Sequence, residues 1–185
     1  MRSRSRILVL AVLALLASAA LVSPGHAAGL PSRAKWLSDV RHDMVGSIGY
    51  LDRRTSGAHG RLAINLDIDN TSLATKYGGG AVGPVLRFAK RAHAEGVAVF
   101  FNTGRNGAKL RMARGQLTRA GFPVDRVCGL RSATVSLVQS KKRCRKRFVA
   151  RGYTIIANVG NSATDFAGGN YQRAFRLPSY GGRLK

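Results

Sequence analysis

Apolar residues along the chain follow two rhythms. Short unbroken runs, each the length of a strand, alternate with longer stretches in which apolar positions recur every three or four residues. The strong runs are LAINL at 62–66, VAVFF at 97–101 and YTIIANV at 153–159, with weaker ones at 124–130 and at 173–177 before Pro178. Val82, Val85, Leu86, Ala89 and His93 mark one face of a helix that Gly96 stops. Leu110, Ala113, Leu117 and Ala120 stripe a second helix, stopped by Gly121. A basic helix is predicted from about 141 to 151, ending at Gly152. A helical lead-in spans 31 to about 60, with Trp36, Val40 and Met44 near helical phase and a polar turn at 53–57. Strands alternating with amphipathic helices predict an α/β fold of three α/β/α layers, its mainly parallel sheet covered on both faces.

Sheets of this kind bind ligands beyond the carboxyl ends of their strands. The polar clusters of this chain fall there. Asp67, Asp69 and Thr71 follow the first run, Thr103, Gly104 and Arg105 the second, and Asn161 and Asp165 a later one. Two carboxylates at i and i+2 can divide phosphoryl transfer between them: one attacks phosphorus as a nucleophile, the other moves the leaving-group proton. Such transfer also needs charge neutralisation by a divalent cation and basic side chains. Thr103, Arg105 and a lysine near 141 can hold phosphate oxygens, and Asp165 can help hold the metal. A Ca²⁺ loop is excluded, because Ser72-Leu73-Ala74 brings no further carboxylate where such loops need them.

The beginning of the chain is different in kind. Arg2, Arg4 and Arg6 precede an apolar stretch from Ile7 to Val22, and small residues follow through Ala27. That order predicts a secretory signal peptide over 1–27 and one domain over 28–185. The stretch is shorter than the roughly 20 residues a membrane span needs, so no transmembrane segment is expected in the mature protein, which would be secreted. Its two cysteines, Cys128 and Cys144, then suggest a disulfide over two separate thiols. Lys and Arg number 31 against 8 acidic residues, a formal charge of +23. Such a surface attracts polyanions, but no RNA-binding or helix-turn-helix signature accompanies the charge.

In combination, LDIDNT, FFNTGR and SKKRCRKRFVARGYTIIANVGNSATDF resemble the haloacid dehalogenase-like (HAD) phosphatases. The likeness is greatest to the branch of plant vegetative-storage-type and bacterial secreted class B acid phosphatases, and it covers roughly 36–180. It implies a Rossmann-like core, Mg²⁺ as cofactor and phosphomonoesters as substrates. By position it makes Asp67 the nucleophile and Asp69 the general acid/base, whose main-chain carbonyl also ligates Mg²⁺. It assigns Thr71, Thr103, Gly104 and Arg105 to phosphate, with Lys141 as the phosphate-binding lysine and Arg145 as a second basic position. Lys142 and Lys146 are left as solvated helix charges. Asn161 and Asp165 complete the metal set.

One position departs from the resemblance. Where the family has Gly-Asp-x-x-x-Asp, this chain has Gly160-Asn161-Ser162-Ala163-Thr164-Asp165. An amide oxygen can ligate a hard cation but brings no charge, so weak metal binding and low activity are expected. The alternative is a catalytically weak relative that binds or stores phosphate or a polyanion. Only ten or so residues, 72–81, separate the aspartates from the next helix, and 131–140 can cover part of the site, so any cap is minimal.

Overall fold

The computed structural model of the protein describes residues 29–184 apart from 58 and 133; the predicted leader lies outside the described residues. Each apolar run becomes a strand: β1 (Arg61–Leu66), β2 (Ala98–Asn106), β3 (Arg126–Leu130), β4 (Tyr153–Gly160) and β5 (Arg173–Arg176). The five pair in parallel in the order β3-β2-β1-β4-β5. The periodic stretches form α1 (Arg33–Asp43), α2 (Ser47–Thr55), α3 (Gly83–Ala94), α4 (Gly107–Arg119), α5 (Leu137–Val149) and the short α6 (Ala163–Phe166). The chain is therefore a three-layer α/β protein, as its pattern predicts.

Side chains alternate across the strands and feed two cores. Ile64, Leu66, Val99 and Phe101 join Trp36, Val40, Leu51, Val85 and Phe88 on the face covered by the earlier helices. Ala63, Phe100 and Ile155 meet Cys144 and Phe148 of α5 on the other face. Phe100 stacks on Phe148 with ring centroids 4.1 Å apart. Each large apolar side chain so buried contributes about 1.5–3 kcal/mol.

Three boundaries differ from expectation, each for a local reason. The lead-in is two helices, because Gly46 takes a left-handed φ of 75° that a continuing helix cannot hold. β2 runs on to Asn106, so Thr103, Gly104 and Arg105 lie in the strand and not in a loop after it. Gly129 of β3 permits this close approach, since a Cβ there would sit 2.2 Å from the Arg105 carbonyl oxygen. α5 starts four residues early at Leu137, because the Ser136 hydroxyl caps it by accepting from the Gln139 amide at 3.2 Å. Cys128 of β3 and Cys144 of α5 form the expected disulfide, with their Cα atoms 5.8 Å apart.

The strand order positions the site. β1 is flanked by β2 on one side and β4 on the other, so the chain leaves it in one direction and returns on the opposite edge. A crevice must open beyond the carboxyl end of β1, where the connections part.

Candidate active site

Asp67 is the first residue beyond β1. Its amide still donates to the Val159 carbonyl at 2.9 Å, extending the pairing with β4. The chain then turns tightly: the amides of Ser72 and Leu73 both return to the Ile68 carbonyl, and the Ser72 hydroxyl donates to the Asp67 carbonyl at 2.6 Å. Asn70 supplies the left-handed residue this turn requires, at φ 53°. Asp67 and Asp69 thereby enter a crevice of about 250 Å³ that also receives Gly104, Lys141 and Asn161, with Leu137 and Leu184 as apolar walls.

Lys141 is the centre of this arrangement. Its ammonium donates to Asp67 Oδ1 at 2.8 Å and to Asp165 Oδ1, and all three side chains are buried. One cation thus serves two carboxylates. Burial, then repulsion from Asp165, pushes the Asp67 carboxyl up to about 7 against the attraction of Lys141. Burial opposes the Lys141 charge, but the two carboxylates outweigh it and hold its pKa above the ordinary lysine value. The excess of one anion over the single cation adds to burial in raising Asp67 and overcomes burial in raising Lys141.

Beneath the crevice lies an amide ladder that sequence reasoning missed. Asn65 Nδ2 donates to Asn158 Oδ1 at 2.6 Å, and Asn158 Nδ2 donates to the Asp165 carbonyl at 3.0 Å. Asn102 Nδ2 holds the Lys141 carbonyl at 2.9 Å. The available signal was an asparagine interrupting each of two apolar runs, in LAINL and IIANV. A buried amide in such a run needs a partner.

Other expected residues do different work. Arg105 does not face the crevice with a free guanidinium: its Nε and Nη2 hold both oxygens of Asp69 at 3.0 and 2.6 Å, and its Nη1 donates to Gln116 of α4 at 2.6 Å. Arg145 is fully buried, and its guanidinium donates to the carbonyls of Asp165, Ala167 and Gly169. It clamps the loop after α6 and is not among the residues that line the crevice, although a phosphate-binding role was expected of it. Asp165, expected at the metal, is held on both oxygens: one takes Lys141 and the other accepts from the Ser162 amide at 2.8 Å, closing a capping box on α6, so it orients the lysine. Thr71 is buried with its hydroxyl unpartnered and does not line the crevice. Thr103 is buried too; its hydroxyl accepts from the Arg105 amide at 3.2 Å. Lys142 and Lys146 are exposed, as expected.

Among the described residues, no three Asp, Glu, His or Cys side chains gather as a metal cage. The oxygens that remain nonetheless suit a hard cation. Asp67 Oδ2, the Asp69 main-chain carbonyl and Asn161 Oδ1 have no hydrogen-bond donor among the described residues. Mg²⁺ is bound by one or two carboxylates with water and substrate completing the shell. The donor set fits such an ion, with less negative charge than two free carboxylates would supply.

A parallel α/β sheet with paired aspartates and a buried lysine at its switch point brings together the kinds of group that phosphoryl transfer requires. The model of a family described as HAD superfamily, subfamily IIIB (acid phosphatase), matches residues 74–183, and the chain belongs to that family. Membership supports phosphatase function. Among solved structures, the class C acid phosphatase from Bacillus anthracis is similar at 17% identity, with a TM-score of 0.62 over 80% of this chain and 79% of that one. The same enzyme with tungstate bound is similar at 16% identity, with the same TM-score and coverage. At these identities the likeness is one of fold. No curated protein matches the chain in sequence.

Proposed function

We propose that the protein is an exported, Mg²⁺-dependent acid phosphatase that hydrolyses phosphomonoesters through an aspartyl-phosphate on Asp67. The observation that carries this reading is the Lys141 ammonium shared by Asp67 and Asp165 at the base of the crevice. It holds the Asp67 carboxylate by one oxygen and so fixes the nucleophile at the base of the crevice. Asp67 attacks phosphorus, and the bond from phosphorus to the alcohol oxygen breaks as Asp69 protonates that oxygen. Asp69 then takes a proton from water, which attacks the aspartyl-phosphate, frees phosphate and restores Asp67. The Thr103 hydroxyl and the Gly104 amide orient the phosphoryl oxygens, and Lys141 offsets their charge. Mg²⁺, held by Asp67, the Asp69 carbonyl and Asn161, supplies further charge neutralisation when bound. Because Arg105 holds both oxygens of Asp69, proton transfer there requires that this pair open when a phosphoester binds.

Export rests on the leader pattern over 1–27 and agrees with the disulfide; among the described residues, no helix is long and apolar enough to cross a membrane. The basic surface favours encounter with polyanions and anionic substrates. One groove at the amino end of β3 is lined by Arg114, Arg126, Arg147 and Arg151 with Asp125 as its lone acid. The second reading, a phosphate-binding relative with little turnover, is favoured by Asn161, which removes a charge from the metal set.

The test is Mg²⁺-dependent release of phosphate from a generic phosphomonoester by wild type and Asp67→Asn. Turnover that requires Mg²⁺ and vanishes in the variant supports the enzyme. Phosphate binding without turnover, across pH and at high Mg²⁺, selects the second reading. N-terminal sequencing of exported protein, expected to begin near Ala28, checks the leader.

A further inference from the structure

Residues 178–184 follow β5 and turn so that Leu184 reaches the crevice. The Tyr180 hydroxyl donates to Asp39 of α1 at 2.7 Å, and the amides of Gly182 and Leu184 return to the Ser179 carbonyl at 3.0 and 3.4 Å. Leu184 ends this turn almost fully buried, its side chain forming part of the crevice wall. Its carbonyl meets two asparagines from opposite sides. Asn70 Nδ2, on the loop after β1, donates to it at 2.8 Å, and Asn161 Nδ2, on the loop after β4, does so at a longer 3.5 Å. Those loops carry Asp69 and the amide that departs from the family pattern. Asn70 is anchored at its other end as well, its Oδ1 accepting from the Lys76 amide at 2.8 Å.

We propose that the main-chain carbonyl of Leu184 is a positioning group for the crevice. By accepting from Asn70 and Asn161 together, it ties the loop after β1 to the loop after β4. It also decides which atom of Asn161 is offered to a ligand. With Nδ2 turned to Leu184, Oδ1 is the atom left for the crevice, and a hard cation binds oxygen and not an amide NH₂. Without that acceptor, the amide could rotate and present either atom. On this view the asparagine at 161 is matched to the segment that covers it: an aspartate there would turn a carboxylate oxygen toward a carbonyl oxygen. The metal part of the inference rests on the proposed Mg²⁺ site, whereas the tie between loops does not.

Asn70→Gly tests both parts. Glycine keeps the left-handed backbone without strain and removes the amide bond to Leu184 without adding charge. Hydrogen exchange and titration with Mg²⁺ alone, followed by calorimetry, are measured on the full chain. The amides of residues 160–162, across the crevice from the substitution, are expected to exchange faster. Mg²⁺ affinity is expected to fall about tenfold, as it does when groups that orient metal ligands are lost. Tyr180→Phe loosens the same segment from α1 without touching either asparagine, so it should shift both readouts in the same direction by less. It also serves if Asn70→Gly fails to fold. A lower melting temperature with exchange at 160–162 and Mg²⁺ affinity both unchanged overturns the proposal and leaves the contacts as packing alone. If wild type binds no Mg²⁺, the proposed metal site fails, and the exchange at 160–162 still decides whether Leu184 couples the loops.

Discussion

Replacing Lys141 by methionine removes an ammonium while keeping an unbranched side chain of similar length. In the protein that ammonium is 2.8 Å from Asp67 Oδ1 and also bonded to Asp165 Oδ1, with side-chain exposures of 6%, 7% and 3% for the three residues. Taking it away leaves two buried carboxylates facing one another, and breaking a buried pair in this way costs about 3–5 kcal/mol. For a chain of this size, the melting temperature should fall by roughly 6–20 °C. The loss should also depend on pH. Burial and Asp165 already push the Asp67 carboxyl to about 7, and without the lysine that opposes them it rises further. A carboxyl whose folded pKa exceeds its unfolded value holds its proton more tightly in the folded state. Its contribution is fully present at low pH and disappears as pH rises through the folded value. The variant should therefore lag wild type most at pH 8 and recover part of the gap at pH 5. Urea unfolding of both proteins at the two pH values measures this. A gap under about 1 kcal/mol, or one of equal size at both pH values, refutes the shared-cation account, since a solvent-screened surface pair would behave in that way.

Three further outcomes are expected. Asn161→Asp should tighten Mg²⁺ binding about tenfold, because a full charge beside a cation outweighs one long hydrogen bond. Losing the Leu184 contact should also lower stability of the metal-free protein, and calorimetric titration with parallel thermal melts checks both signs. Gly160→Ala would put a Cβ 2.4 Å from Asp165 Oδ2, so it should cost about 1–3 kcal/mol by overpacking. Because the displaced carboxylate also holds Lys141, turnover should fall more than stability alone explains, which activity at a temperature well below the melt can separate. Removing the disulfide by Cys128→Ser with Cys144→Ala should cost about 3 kcal/mol for a loop closed over 16 residues. Reductant should reproduce most of that loss in wild-type denaturation curves.

The sequence by itself determined what depends on local periodicity and turn chemistry. The apolar runs marked the five strands, the glycines marked the helix ends, and polar residues just beyond the runs placed the crevice. These signals are local because side chains alternate along a strand and recur every three or four residues along a helix. Tertiary structure decided which atoms those residues touch. Lys141 reaches Asp67 across 74 positions and Asp165 across 24, a meeting set by the register of β1 on β4 and by how α5 sits on the sheet. Lys141 and Arg145 lie one helical turn apart on the same buried face. One turn is enough to send the lysine into the crevice and the arginine to the carbonyls of Asp165, Ala167 and Gly169. The same limit applies to Arg105, whose position suggested phosphate but whose neighbours are Asp69 and Gln116. It applies most of all to Leu184, an unremarkable leucine with no motif around it. Its carbonyl matters only because the chain returns across the sheet and brings two asparagines, 114 and 23 residues away in sequence, within reach of one oxygen.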